Sequence, residues 1–296
     1  MSAQGQIRVG IGGWTFEPWR GAFYPEGLSH ARELAYASER VTTIEINGTF
    51  YRTQSPATFA KWARETPEHF VFAVKGPRYA TNRRVLAEAG DSIARFLDSG
   101  VTELGDKLGP LLWQLAPTKR FYAADFGRFL ELLPARFAGH RLRHVMEVRH
   151  ASFLTPQLIA LLRTFETPVV YADHASYPAI PDPVGDFVYA RLQRGEDTIA
   201  TAYQPSALDR WAARARAWAG GAMPADLTVI DPSSSAPVRP RDVFVYFIHE
   251  GKVRAPAAAM AMLARLAEQP GQATAPAHPV RRGRAKHSAM LRRAKS

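Results

Sequence analysis

Charged side chains lie within or directly after several short apolar segments, where an unpaired charge is costly. Four of these side chains can accept or donate a proton at a substrate, so they are the candidate catalytic residues: Glu45, Lys75, Glu147 and Asp173. Polar and aromatic residues that follow the same segments are the candidates for substrate binding: Trp14, Asn47, Tyr51, Arg78, Gln114, Arg149, His150, Arg191 and His249.

Two chemistries fit these residue types. In the first, one of the acids transfers a proton while Lys75, Arg149 and Arg191 hold phosphate or carboxylate oxygens. In the second, several acids together with His150 or His249 hold a divalent cation that activates water. The second is disfavoured because the cationic side chains would repel a metal, and the sequence has no HExxH pair. We therefore expect an anionic small molecule as the partner and leave any metal cofactor unassigned.

A structural role is the alternative for each of these residues. A charged residue inside a strand, such as Glu45, Glu147 or Arg191, could simply form a salt bridge in the protein interior. For the three histidines that follow strands (His150, His174 and His249), hydrogen-bonding or surface roles are favoured. The case for a site rests on the set, because five or more strands place ionisable groups at the same end.

The elements that position these residues alternate between strand-like and helix-like patterns, which predicts a parallel α/β fold. Eight strands are predicted, over residues 7–13, 43–47, 70–75, 110–115, 144–148, 168–172, 187–192 and 243–248. Eight strands favour a TIM-type (β/α)8 barrel, in which functional groups gather at the C-terminal ends of the strands. A doubly wound open sheet is the alternative. The barrel is preferred because polar residues follow nearly every strand.

Helices are predicted between most of the strands. Ser29 is a candidate N-cap for a helix that continues to Arg40. Apolar residues at helical spacing indicate further helices near residues 56–65, 91–104, 126–133, 158–165, 205–219 and 257–268. Three prolines within residues 176–185 predict that the helix between strands six and seven is missing or reduced. Residues 220–241 have the pattern of an insertion.

Composition indicates one barrel domain, residues 1–269, followed by a basic tail, residues 270–296. The tail carries seven Lys and Arg residues and no acid, and therefore most of the net charge of +11. It lacks apolar periodicity, which predicts disorder, and it could contact nucleic acid non-specifically or serve only as a solubilising extension. The absence of cysteine excludes disulfides, thiolate metal sites and a cysteine nucleophile. The sequence has no membrane-length apolar run and no signal segment, so we expect no membrane contact and a cytoplasmic location.

The segment from Trp14 to Pro25 is rich in aromatic residues and follows the first strand. Its rings could stack on a base or sugar. A hydrophobic plug that anchors this loop under the barrel rim is an equally good interpretation. The nearby Gly10-Ile11-Gly12-Gly13 lacks the spacing of a dinucleotide fingerprint.

The chain resembles the YecE-like family, domain of unknown function 72. The matching motifs occur in order between about residues 7 and 266: Gly12-Gly13-Trp14, Phe23-Tyr24-Pro25, Glu45-Ile46-Asn47-Gly48-Thr49-Phe50-Tyr51, Phe70-Val71-Phe72-Ala73-Val74-Lys75, Leu108-Gly109-Pro110, Gln114-Leu115, Glu147-Val148-Arg149-His150 and Tyr189-Ala190-Arg191. The resemblance implies a TIM-type barrel and no established activity.

Three positions depart from the pattern of that family. Asn82 stands where many relatives have a histidine, so a mechanism that needs an imidazole there would require a substitute such as His150 or His174. His249 stands where an asparagine is common, and the proline of the Gln-Leu-Pro motif is displaced to Pro117.

Three functions follow from these observations, in decreasing order of preference. The first is an enzyme that uses acid and base residues at the barrel mouth on a phosphate- or carboxylate-bearing small molecule. The second, by analogy with barrel nucleases, is nucleic-acid binding or phosphodiester processing, which needs a basic surface beyond the mouth. The third is a barrel that binds a ligand without catalysis.

Overall fold

The computed structural model describes residues 4–233 and 237–268. Its central feature is a parallel sheet of eight strands: β1 (Ile7–Gly12), β2 (Thr43–Ile46), β3 (Val71–Lys75), β4 (Leu108–Gln114), β5 (Arg143–Glu147), β6 (Val170–Asp173), β7 (Phe187–Arg194) and β8 (Asp242–Glu250). The strands follow one another in the order β5-β4-β3-β2-β1-β8-β7-β6. Each predicted strand is present, with boundaries that differ by at most two residues.

The sheet curls so that its two edge strands meet. The Met146 N–H donates to the Pro168 carbonyl at 2.9 Å, and Met146 pairs with Val169 in a parallel bridge. The other neighbouring strands are joined by longer parallel ladders. The fold is therefore a nearly closed TIM-like barrel, as predicted, and not an open doubly wound sheet.

Helices cover the outside of the barrel: α1 (Glu33–Ser38), α2 (Pro56–Arg64), α3 (Arg78–Thr81), α4 (Gly90–Leu97), α5 (Ala123–Glu131), α6 (Pro156–Thr164), α7 (Pro205–Ala219) and α8 (Ala255–Ala267). Residues 174–186, between β6 and β7, contain no helix, which confirms the prediction from the prolines. The predicted insertion has no helix or strand in residues 221–233 and 237–241. None of the helices in the described ranges is both long and apolar enough to cross a membrane.

Two helix predictions were wrong in detail. The Ser29 side chain makes no capping hydrogen bond, and a short 3-10 turn (His30–Arg32) separates it from α1. The helix predicted over residues 91–104 ends at Leu97, because Gly100 adopts a left-handed conformation with φ of 93°. A 3-10 segment (Val101–Lys107) then leads into β4.

Successive side chains of each strand point to opposite sides of the sheet, and this separates two apolar layers. One side of each strand packs against the helices in a large core that includes three fully buried rings, Trp113, Phe126 and Phe129. The other side fills the barrel with a smaller cluster: Ala73, Leu112, Val145, Val170, Phe187, Tyr189, Phe244, Tyr246 and Ile248. The apolar filling of the lower barrel leaves the C-terminal ends of the strands for polar side chains.

The aromatic loop after β1 packs against the barrel rim. Trp19 and Tyr24 are completely buried, and Trp19 contacts Phe16 and Phe23 edge to face. The Trp19 indole N–H donates to the Lys252 carbonyl at 2.8 Å, which joins the loop to the segment after β8. This packing corresponds to the plug interpretation of the loop.

Candidate functional site

The inward positions of β7 carry three polar side chains in alternation. Tyr189, Arg191 and Gln193 are two residues apart, so all three point into the barrel at increasing height, and all are buried. The same alternation places Thr43 and Glu45 on the inner face of β2. The two strands thus meet across the barrel, and the Tyr189 hydroxyl donates to Glu45 Oε2 at 2.7 Å.

Arg191 is the centre of a buried charge network. Its Nε and Nη2 donate to the two carboxylate oxygens of Glu45 at 3.1 and 3.0 Å. Its Nη1 lies 2.7 Å from both carboxylate oxygens of Glu147. The interior salt bridge that the sequence allowed as an alternative is therefore present, and it joins three of the predicted site residues from β2, β5 and β7.

Arg149 adds a second cation to Glu147. Its Nε and Nη2 donate to Glu147 Oε1 at 3.3 and 3.2 Å, and its guanidinium lies over the ring of Tyr177, 4.5 Å from the centroid. Burial alone raises the pKa of the Glu147 carboxyl, but the nearby Arg191, Arg149 and Lys75 cations outweigh burial and lower this pKa overall. Glu147 is thus a carboxylate at neutral pH and cannot donate a proton there.

Lys75 ends β3 with its side chain in the same region. It is only 6% exposed, and its Nζ lies 4.2 Å from the centroid of the Phe50 ring. Within the described part of the chain, Nζ has no hydrogen bond and no ion pair closer than 4 Å. Burial and the neighbouring Arg191 lower the pKa of the Lys75 ammonium to about 8, although Glu45 and Glu147 act in the opposite direction.

A cavity of about 570 Å³ opens above this network at the C-terminal end of the barrel. Two glutamines in its wall have buried polar atoms without hydrogen-bond partners: both amide atoms of Gln193 and Oε1 of Gln114. Since buried polar groups are normally paired, these atoms are available to a bound molecule. The cavity volume is within the range of small-molecule sites.

Other residues form the mouth of the cavity. His249 adopts a left-handed backbone conformation with φ of 69°, which is uncommon for a residue other than glycine, and its imidazole lies 3.0 Å from Glu250. The His174 ring lies next to that of His249, with centroids 5.9 Å apart, and is stacked on the Tyr177 ring at 3.7 Å. His249, which lines the cavity, is therefore backed by two further polar aromatic rings.

The cavity brings together seven of the predicted site residues: Asn47, Tyr51, Lys75, Gln114, Arg149, Arg191 and His249. Glu45 and Glu147 lie immediately behind Arg191 and are completely buried. Trp14 lines a smaller adjoining pocket of about 280 Å³, which shares Asn47 with the main cavity.

Three further predicted site residues line neither pocket and make no ion pair with Arg191. Arg78 is exposed, with its guanidinium 5.8 Å from the centroid of the Tyr51 ring. The His150 imidazole accepts a hydrogen bond from the Ser152 N–H and so caps a turn. Asp173 is half-buried, and its pKa is raised by burial despite the nearby Arg194.

Sequence reasoning missed several residues of the cavity. Gln193 could have been found from its position two residues after Arg191, because alternation places both on the same face of β7. The neighbouring Arg194, by contrast, is exposed on the opposite face of β7. Phe50 and Lys252 also line the cavity, and no strand pattern indicates them because they lie on connecting segments.

Residues 4–233 and 237–268 contain no group of three or more His, Asp or Glu side chains placed to hold a metal ion. The basic surface that the nucleic-acid hypothesis requires would be formed by Arg78, Arg83, Arg84, Lys119 and Arg120, and two of these side chains are used for internal contacts. Lys119 donates to the Arg84 carbonyl and pairs with Asp125, and Arg83 donates to Ser92. The predicted tail, residues 270–296, lies outside the described residues.

Comparisons with known proteins agree with the fold. The sequence model for "Protein of unknown function DUF72" matches residues 8–282. The UPF0759 protein YunF of Bacillus subtilis is 28% identical over 116 residues, a match that spans 38% of this chain and only 40% of that protein.

Solved structures of DUF72 family proteins from Enterococcus faecalis and Thermotoga maritima also resemble the chain. They superpose with TM-scores of 0.64 and 0.63 at 18% and 20% identity. These matches cover 89% and 87% of this chain and 96% and 97% of the two neighbours. At such low identity the similarity concerns the fold alone.

Proposed function

The chain belongs to the DUF72 family of proteins of unknown function, and we propose that it is an enzyme that binds a phosphate- or carboxylate-bearing small molecule in the barrel cavity. The observation that carries this proposal is the charge balance around the cavity. Three cations, Lys75, Arg149 and Arg191, face two carboxylates, Glu45 and Glu147. Lys252 and Glu250 also line the cavity and offset each other in charge, so one positive charge is left uncompensated.

The two carboxylates are occupied by arginines, so they hold the cations in place. Arg191 uses all three of its guanidinium nitrogens on them. An arginine fixed by two acids cannot turn away from a ligand above it, and this rigidity reduces the entropy lost when an anion binds. We assign Glu45 and Glu147 to positioning of Arg191.

Lys75 is the group in the cavity that suits proton transfer. Its pKa of about 8 is close to physiological pH, where a general acid or base is most effective. The unpaired amide atoms of Gln193 and Gln114 provide both donors and acceptors for hydroxyl, carbonyl or amide groups of the substrate. The substrate we infer therefore has an anionic group at one end and uncharged polar groups at the other.

Calorimetric titration tests this proposal with a panel of phosphorylated and carboxylated metabolites and their neutral analogues. We expect at least one anion to bind, and Lys75→Met and Arg149→Met to weaken that binding more than tenfold. Lys61→Met is the matched control, because that exposed lysine of α2 pairs with Glu65, and its loss should leave affinity unchanged. Turnover of the bound anion would separate an enzyme from a barrel that only binds. Anion affinity unaffected by both cavity variants would contradict the proposal.

A further inference from the structure

We propose that Lys75 is an amine nucleophile that forms an imine with a carbonyl group of the substrate, so that the substrate is a keto or aldehyde compound bearing a carboxylate or phosphate. This inference rests on the proposed function, because it places the anionic group beside Arg149 and the carbonyl carbon at Lys75 Nζ. It adds a covalent step to that site.

The contacts of the lysines distinguish Lys75 from a structural lysine. Lys107 is the useful comparison, since its pKa is also lowered by burial. Its Nζ donates to the Ala63 carbonyl at 2.5 Å and the Thr66 carbonyl at 2.6 Å, and these two acceptors favour the ammonium form, which has no free lone pair. Lys75 has no such acceptor among the described residues, and its Nζ points into a cavity large enough for a substrate.

The surroundings of Lys75 favour the neutral, nucleophilic amine. Burial and two guanidinium groups, Arg191 and Arg149, disfavour the positive charge of the ammonium and together outweigh Glu45 and Glu147, which favour it. With a pKa of about 8, about half of the side chain is neutral at pH 8. A lysine with an ordinary pKa is neutral in only about one molecule in 300 at that pH.

The proposed step balances without an oxidant or metal. The Nζ lone pair attacks the carbonyl carbon, the C–N bond forms, and the carbonyl oxygen takes up a proton. The amine then loses its proton to solvent, the hydroxyl group takes up a second proton from solvent and leaves as water, and the protonated imine remains. This imine withdraws electrons from the adjacent carbon and so promotes loss of a proton or of a carboxylate from that carbon.

The polar wall of the cavity suits this chemistry. Gln114, on the neighbouring strand β4, has an unpaired buried Oε1 that can accept a hydrogen bond from the hydroxyl group of the intermediate. Gln193 has both amide atoms unpaired and can hold a further hydroxyl or carbonyl of the substrate. Arg149 lines the same cavity and can hold the anionic group.

Reductive trapping tests the inference on the full chain. The protein is incubated with pyruvate or dihydroxyacetone phosphate, and acetone serves as the neutral control. Sodium borohydride is then added, which reduces an imine to a secondary amine. Peptide mass mapping locates this amine. We expect the adduct on Lys75, and its yield should be at least tenfold higher with the anionic carbonyl compounds than with acetone. The yield should rise with pH, with a midpoint near 8. Lys107 should stay unlabelled, and Lys75→Arg should abolish the adduct.

The inference is overturned if Lys75 stays unlabelled, or if the label is distributed over lysines according to their exposure. Mapping in the unsubstituted chain needs no variant to fold, so a poorly folded Lys75→Arg would not affect this outcome. Anion binding measured by calorimetry on the same sample separates the two proposals. Binding that depends on Arg149 without a trapped adduct would refute the imine and leave the proposed function standing, whereas absence of both would refute both.

Discussion

Replacing Arg191 by methionine is the change that most directly perturbs the buried charge network. Arg191 is 4% exposed and lies between two completely buried carboxylates, at 2.7 to 3.1 Å from their oxygens. Removing one partner from a buried ion pair typically costs about 3–5 kcal/mol, because the remaining charge is left without compensation. Glu147 keeps Arg149 and Glu45 keeps the Tyr189 hydroxyl, so we expect a loss of about 3–5 kcal/mol at pH 7 and not twice that amount.

The loss of stability caused by Arg191→Met should increase with pH. In the unsubstituted protein the pKa of Glu147 is lowered, so its contribution to stability is present above the unfolded-state pKa of about 4.3 and lost as the pH falls through the folded-state value. In Arg191→Met, two neighbouring buried carboxylates without their shared cation should have raised pKa values, and they destabilise the fold increasingly as the pH rises. The difference in unfolding free energy between the two proteins should therefore be larger at pH 8 than at pH 4.5.

Urea denaturation followed by tryptophan fluorescence measures this difference. Arg128→Met is the matched control, because Arg128 pairs with Glu131 on the exposed face of α5 and should contribute at most about 1 kcal/mol. Adding Glu45→Gln and Glu147→Gln to Arg191→Met should restore part of the loss, since no buried charge is then left unpaired. A loss below about 1 kcal/mol at pH 7, or the same loss at pH 4.5 and pH 8, would refute the reasoning.

Three further predictions concern the site and its alternatives. Gln193→Leu should keep or raise the free energy of unfolding in urea, because it removes two buried unpaired polar atoms. Anion affinity in calorimetry should fall at least tenfold. A clear loss of stability would show that Gln193 has an internal partner. Asp173→Asn should change anion affinity less than twofold, since Asp173 does not line the cavity; a large effect would extend the site to the end of β6. Deleting residues 270–296, with their seven basic residues, should abolish salt-dependent DNA binding; persistence of the salt slope in the truncated protein would favour the nucleic-acid hypothesis.

The barrel could be predicted from the sequence because its signals are local. Strand and helix patterns alternate along the chain, and prolines such as Pro178 and Pro181 exclude a regular helix between β6 and β7. Closure could not be predicted in this way. It depends on one short contact between Met146 and the Pro168–Val169 segment, which no periodicity indicates.

The sequence indicated which side chains of the candidate site lie close together but not how they are paired. Side-chain direction alternates along β2, β5 and β7, which indicates the side chains that point inward. Of these, Glu45, Glu147 and Arg191 lie in contact in the structure. The sequence could not show that the two acids are both occupied by Arg191, because that depends on the distance across the barrel. This pairing transfers the proton-transfer role in our proposal from the carboxylates to Lys75.

Residues after the strands were the least predictable. A residue beyond the end of a strand no longer follows strand alternation, and its direction is set by the turn that follows. His150 therefore caps a turn, and Arg78 lies on the surface at the start of α3. His249 lies near the end of β8, where a left-handed backbone and a shift in strand register interrupt the alternation, and it lines the cavity.

A crystal structure of the protein soaked with the anion that binds most tightly in calorimetry tests the central claim most directly. The claim is that the uncompensated positive charge around Lys75 makes the barrel cavity an anion site. We predict ligand density in the cavity, with an anionic oxygen within hydrogen-bond distance of Arg149 or Lys75 and a polar group within reach of the Gln193 amide. An empty cavity, with the ligand bound elsewhere on the protein, would contradict the claim.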